Sequence, residues 1–105
     1  MTAKASGWTT NLLALVWFAV HTFIGGPEVA TQLSASELPL PVRAPAWMVW
    51  NMVTGLLLLM AGMLGWGTLK SKPDFLFAGA FMAATLAVTG VASAPLIGAP
   101  FSLLP

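Results

Sequence analysis

Charge is what this chain has least of. Of its 105 residues, four are basic and three acidic, 7% in all. A soluble domain carries about 25%, so the chain cannot clothe a water-facing surface. The net charge of +1, with no basic cluster, excludes a phosphate backbone as partner, and no nucleic acid is expected. Cysteine is absent, which removes disulfides, thiolate metal sites and cysteine nucleophiles. A single histidine excludes bis-histidine haem. Glu28, Glu37 and Asp74 lack the close spacing that paired acid–base chemistry needs. No serine or threonine has an accompanying base, and no glycine-rich phosphate loop or P-loop lysine is present. Tyrosine is missing, whereas tryptophan occurs five times. The residues therefore give no catalytic constellation, and the protein is expected not to be an enzyme.

What is present is apolar: 58% of the chain. About 20 helical residues cross a hydrocarbon core of about 30 Å. Three runs are suitable: about 8–24, 45–69 and 74–92, the second uncharged until Lys70. The expected fold is an all-α integral membrane protein with three transmembrane helices, in one domain spanning 1–105. The first run follows Lys4 as a signal peptide's would. The chain then passes into Gly25-Gly26-Pro27-Glu28 without a convincing small-residue cleavage site, so the run is read as a span. Trp8, Trp47 and Trp50 fall near expected span ends, where amphipathic rings favour the membrane interface.

Gly25-Gly26 predicts the end of span one. Pro27-Glu28 predicts a restart, and a short interfacial helix to about Ala35 fits in the 25–46 loop. Leu38-Pro39-Leu40-Pro41 reads as a stiff extended piece, with Pro45 opening span two. Lys70 to Asp74 is a short turn, so spans two and three form an antiparallel hairpin. The prolines after Ser93 argue against a fourth span, leaving 93–105 as an apolar, non-spanning tail. Lys4, Lys70 and Lys72 fall on one side and Arg43 on the other. That bias places the N-terminus and the 70–73 turn on the cytoplasmic side and the 25–46 loop and C-terminus on the far side.

Small residues mark where helices meet in a membrane. At 100° per residue Asn51, Thr54, Gly55, Leu58, Gly62 and Gly65 form one stripe on span two. Ala80, Ala83, Ala84, Ala87 and Ala94 form another on span three. Asn51 is expected to bond across helices, to His21, Thr22 or a neighbouring subunit. Glu28 and Arg43 offer a pair that would close the loop. His21 is the one candidate cofactor residue, for a pigment, haem or quinone; its alternative is an interfacial histidine bonded to backbone or water. Trp17, four residues earlier, crowds the place where antenna polypeptides keep a small residue beside their pigment ligand. Met48, Met52, Met60 and Met63 have spacings that could hold Cu(I), but flexible apolar filling is their ordinary use. No span carries a charge or an evident break, the usual marks of a transport path. A homo-oligomeric pore lined by Asn51 and Thr54 is the transport alternative.

Residues 21–54, HTFIGGPEVATQLSASELPLPVRAPAWMVWNMVT, resemble a group of small bacterial inner-membrane proteins. That group shares His-x-x-x-Gly-Gly-Pro-Glu, then Leu-Pro, an Arg and Trp-His-Met-Val-Thr. Asn51 stands here where the group has histidine. In size, span content and lack of chemistry, the whole chain also resembles the protein W family. These are accessory polypeptides of purple-bacterial reaction-centre–light-harvesting core complexes. The resemblance implies a bacterial inner membrane with a periplasmic C-terminus, and a photosynthetic, intracytoplasmic-membrane protein partnered by antenna polypeptides and reaction-centre subunits. Bacteriochlorophyll, carotenoid or quinone would lie adjacent, with none bound directly. It also implies a steric role: interrupting the ring of antenna helices and leaving a gap for quinone and quinol.

Overall fold

A helix in lipid must satisfy its backbone internally, and the chain does so almost from end to end. The computed structural model describes residues 2–99 as three antiparallel helices: α1 Ala3–Ser34, α2 Leu40–Leu69 and α3 Pro73–Leu96. All three are long and apolar enough to cross a membrane. The molecule measures 50 × 23 × 21 Å, enough to traverse a bilayer of about 40–45 Å with its headgroups. Charges collect at the ends, while Leu12, Phe23, Phe77 and Phe81 lie exposed on the sides. Such a surface belongs in lipid or against other apolar helices, so this is an all-α membrane protein.

α1 begins on a threonine cap, Thr2 Oγ1 accepting from the Ala5 amide at 3.0 Å. It does not stop at Gly25-Gly26. Gly25 stays right-handed, at φ −68° and ψ −30°. The helix instead widens over Val20–Ile24 and Gly26–Ala30, with Gly25 N–H reaching Val20 O and Thr31 N–H reaching Gly26 O. Proline lacks an N–H and crowds the carbonyl four residues back. Wide turns carry the backbone past Pro27 without breaking the helix. The expected interfacial helix is therefore the end of α1, not a separate element.

α2 likewise starts earlier than Pro45 predicts. Pro39 caps it, its carbonyl accepting from the Val42 and Arg43 amides, each at 2.9 Å. Pro41 sits in the first turn, where its missing N–H costs nothing. Pro45 is inside the helix, so only the residues before Leu40 are a connection. Arg43 ties that connection by donating from Nη1 to Ser36 O at 2.8 Å, in place of the expected pairing with Glu28. α3 continues beyond residue 92 to Leu96, taking Pro95 into its last turn. The part of the expected tail from 100 to 105 lies outside the described residues.

Two helix ends close alike. Lys72 N–H bonds Gly67 O at 2.8 Å around Ser71, at φ 52°; Ala99 N–H bonds Ala94 O at 2.9 Å around Gly98, at φ 70°. Each is a six-to-one closure with a left-handed residue just past the helix. The first makes the α2–α3 hairpin and brings Lys70 and Lys72 to the Lys4 end of the molecule, where Lys4 and Ser71 line one pocket.

α1 and α2 interlock along their length. Gly7 faces Thr68, and a Cβ there would collide with the Thr68 hydroxyl. Asn11 Nδ2 donates to Ala61 O at 2.8 Å, in space left by Gly65. Ala14, Leu57, Met60, Ala61 and Leu64 form the dry centre. α3 joins through glycines: Leu64 fits over Gly79, and Leu76 over Gly67.

The expected interface stripes are only partly used. On α2, Gly65 faces α1, but among the described residues Gly55 and Gly62 have nothing within 4 Å of a Cβ position. Asn51 does not reach across; its Nδ2 donates to Trp47 O of its own helix at 2.8 Å. On α3, Ala80, Ala84 and Ala87 are exposed, and Gly79 supplies the close contact instead.

Candidate functional site

The one histidine is nearly sealed, 2% exposed. It lies in the first wide turn of α1, about 27 Å along the helix from Ala3 at 1.5 Å per residue. Two one-turn pairs oppose each other here. His21 and Gly25 on α1 meet Thr54 and Trp50 on antiparallel α2. His21 Nε2 lies 2.9 Å from Thr54 Oγ1. The Trp50 ring stacks on the imidazole, with centroids 4.1 Å apart and planes 18° apart. Gly25 makes the room, for a Cβ there would stand 2.9 Å from Trp50 Cη2.

The Thr54 hydroxyl also lies 3.1 Å from Trp50 O of its own helix. Among the described residues, His21 Nδ1 and the Thr22 hydroxyl are buried with no hydrogen-bond partner.

Two hollows flank this cluster. One, of about 590 Å³, opens between α1 and α3 over α2; Trp17, His21, Val53, Leu86 and Gly90 line it. It is almost wholly apolar. The other, of about 420 Å³, lies between the end of α1 and the start of α2, and Thr22, Thr31, Ser34, Trp47 and Asn51 line it. Asn51 and Thr22 thus share a hollow without a bond between them.

Of the sequence candidates, Thr54 and His21 come together. Gly65 serves packing, Asn51 lines the hollow it shares with Thr22, and Gly55 and Gly62 line the open α2 face. Ala87 lines the hollow beside His21, Ala80 lines a neighbouring one, and Ala84 lies exposed. Trp17 stands on the wall beside His21 and leaves the larger hollow open. Trp50 and Gly25 were not singled out as site residues. A glycine one turn after the lone histidine was the available signal. Among the described residues no group of three or more His, Asp or Glu side chains could hold a metal ion. No family model, curated protein or solved structure matches the chain.

Proposed function

We propose that the protein is a non-catalytic accessory subunit of a photosynthetic reaction-centre–light-harvesting core complex. In this reading it takes a place in the antenna ring, prevents closure, and leaves a gap for quinone and quinol exchange. One observation carries the docking role. The α2 face formed by Gly55, Leu58, Leu59, Gly62, Met63 and Trp66 is an open concavity of about 540 Å³. Among the described residues, a Cβ at either of its two glycines would meet nothing within 4 Å. Glycines on a lipid-facing helix let a second backbone approach closely, and this face is unused internally. The resemblance supplies the partner: antenna polypeptides and reaction-centre subunits, in a bacterial intracytoplasmic membrane. The end bearing Lys4, Lys70 and Lys72 faces the cytoplasm by the positive-inside rule.

The mechanism is steric. A helix of this chain docks on the last antenna helix and offers no pigment ligand on its outer side, so the next antenna subunit cannot add. Deleting the gene should give closed rings and slower quinol release. Gly62→Leu should shed the subunit from purified core complexes while leaving its helices folded. Unchanged ring stoichiometry in the deletion strain would sink the reading. Purification as a homo-oligomer with solute flux would replace it by the transporter alternative.

A further inference from the structure

The open face of α2 has a length, and a charge at its end, that its glycines alone do not explain. Its hollow includes Gly55 and Gly62 and is walled by Met63, Trp66 and Phe75. From Gly55 to Trp66 it runs about 16 Å at 1.5 Å per residue. That is close to half of a hydrocarbon core of about 30 Å, the depth of one leaflet. A cation stands at the outer end: Lys70 Nζ lies 5.3 Å from the centroid of the Trp66 ring. Lys70 is exposed one turn beyond Trp66, just past Leu69, where the apolar run of α2 gives way to headgroup depth. Lys72 follows in the same turn, and Asp74 is the one acid beside them.

Lys70 has uses within the chain. As the C-cap of α2 it suits the negative end of that helix, and the Trp66 ring attracts its charge. Neither use fills the hollow, and the ring face occupies one side of an ammonium that carries three donors. We propose that the hollow holds one anionic glycerophospholipid of the cytoplasmic leaflet. Its phosphate pairs with Lys70, and one acyl chain runs inward along Gly62 to Gly55. The length of the hollow fits a chain entering from one leaflet, and lysines beside a span attract anionic headgroups. A zwitterionic lipid carries its own cation beside the phosphate and gains less from Lys70. The inference concerns the chain alone in a bilayer and does not rest on the antenna reading. A partner helix docking on the same face displaces this lipid.

The full chain labelled with 5-fluorotryptophan gives a fluorine signal for each tryptophan, and Trp66→Phe identifies that of Trp66. In phosphatidylcholine nanodiscs, phosphatidylglycerol replaces the host lipid stepwise. The Trp66 signal should shift and level off while phosphatidylglycerol is still the minor lipid. Trp8, exposed on α1 near the same end, should show no such plateau. Lys70→Gln should raise the phosphatidylglycerol fraction at half-shift about fivefold, the usual effect of one lysine near an anionic surface. Lys4 lines a different hollow, so Lys4→Gln should leave that fraction nearly unchanged. Gly62→Leu, which fills the hollow, should abolish the plateau. Water-soluble glycerophosphate, a headgroup without a chain, should leave the Trp66 signal in place. A Trp66 shift that grows in proportion to phosphatidylglycerol throughout, an equal response at Trp8, equal effects of Lys70→Gln and Lys4→Gln, or a matching shift with glycerophosphate would overturn the proposal. The wild-type titration decides even if a variant fails to insert, and its outcome is separate from ring stoichiometry in the deletion strain.

Discussion

At the scale of single residues, glycines that look alike in sequence have opposite duties. Gly7 lies under Thr68 and Gly25 under the Trp50 ring, whereas Gly62 faces open space. Gly7→Val should therefore cost about 1–3 kcal/mol, the usual penalty for overpacking, while Gly62→Ala should be nearly neutral in the isolated chain. Reversible unfolding in mixed detergent measures both. The asparagines divide in the same way. Asn11 bonds across to Ala61 O, and Asn51 bonds its own Trp47 O. Asn11→Leu should lose about 0.6 kcal/mol, the average for interhelical bonds in a membrane, and no more than about 1.7 kcal/mol, the largest such value. Asn51→Leu should lose less, since removing it breaks no link between helices. A larger loss at Asn51 than at Asn11 would contradict this division.

At the scale of elements, proline placement decides shape. Pro27 stands in the last third of α1, inside the second of two widened turns. Pro27→Ala restores an N–H within reach of Phe23 O, so the segment should tighten towards ordinary helical spacing. Hydrogen exchange at residues 27–31 should slow, and the Trp50–His21 stack should shift, visible as altered tryptophan fluorescence. Pro41 behaves differently because it sits in the first turn, where no carbonyl depends on its N–H, whereas Pro45 lies beyond that turn, inside the helix. The α2–α3 turn places Ser71 at φ 52°, a conformation glycine adopts without strain. Ser71→Gly should thus be neutral or stabilising by up to about 1 kcal/mol, an outcome readable in the same unfolding assay.

For the molecule as a whole, the three helices are not equally bound. α1 and α2 share the polar contacts and most of the dry centre, while α3 joins through Gly67 and Gly79 and leaves a groove against α1. The hollow beside His21 and the open α2 face have no lining residue in common. Orientation belongs to this scale too. The fold gathers Lys4, Lys70 and Lys72 at one end, and that end should be cytoplasmic. A cysteine at Ser36 should react with an impermeant maleimide added from the periplasm, and a cysteine at Ser71 only after permeabilisation. The reverse pattern would invert the topology.

The sequence by itself determined the class: a shortage of charge, three long apolar runs, and a hairpin made short by Lys70 to Asp74. These are consequences of solvation, readable residue by residue, because a bilayer accepts only uncharged, internally bonded helices. Tertiary structure decided the rest. It chose Gly7, Gly25, Gly67 and Gly79 for close contact over Gly55, Gly62 and the exposed Ala80, Ala84 and Ala87 of α3, while Ala83 and Ala94 turned inward, and it carried α1 through Gly25-Gly26. It also brought Trp50 and Thr54 onto His21. Lipid is as apolar as a leucine side chain, so no hydrophobic gain tells one helical face from another. Which face turns inward depends on the rotation and axial register of whole helices, and those are settled only when the helices meet.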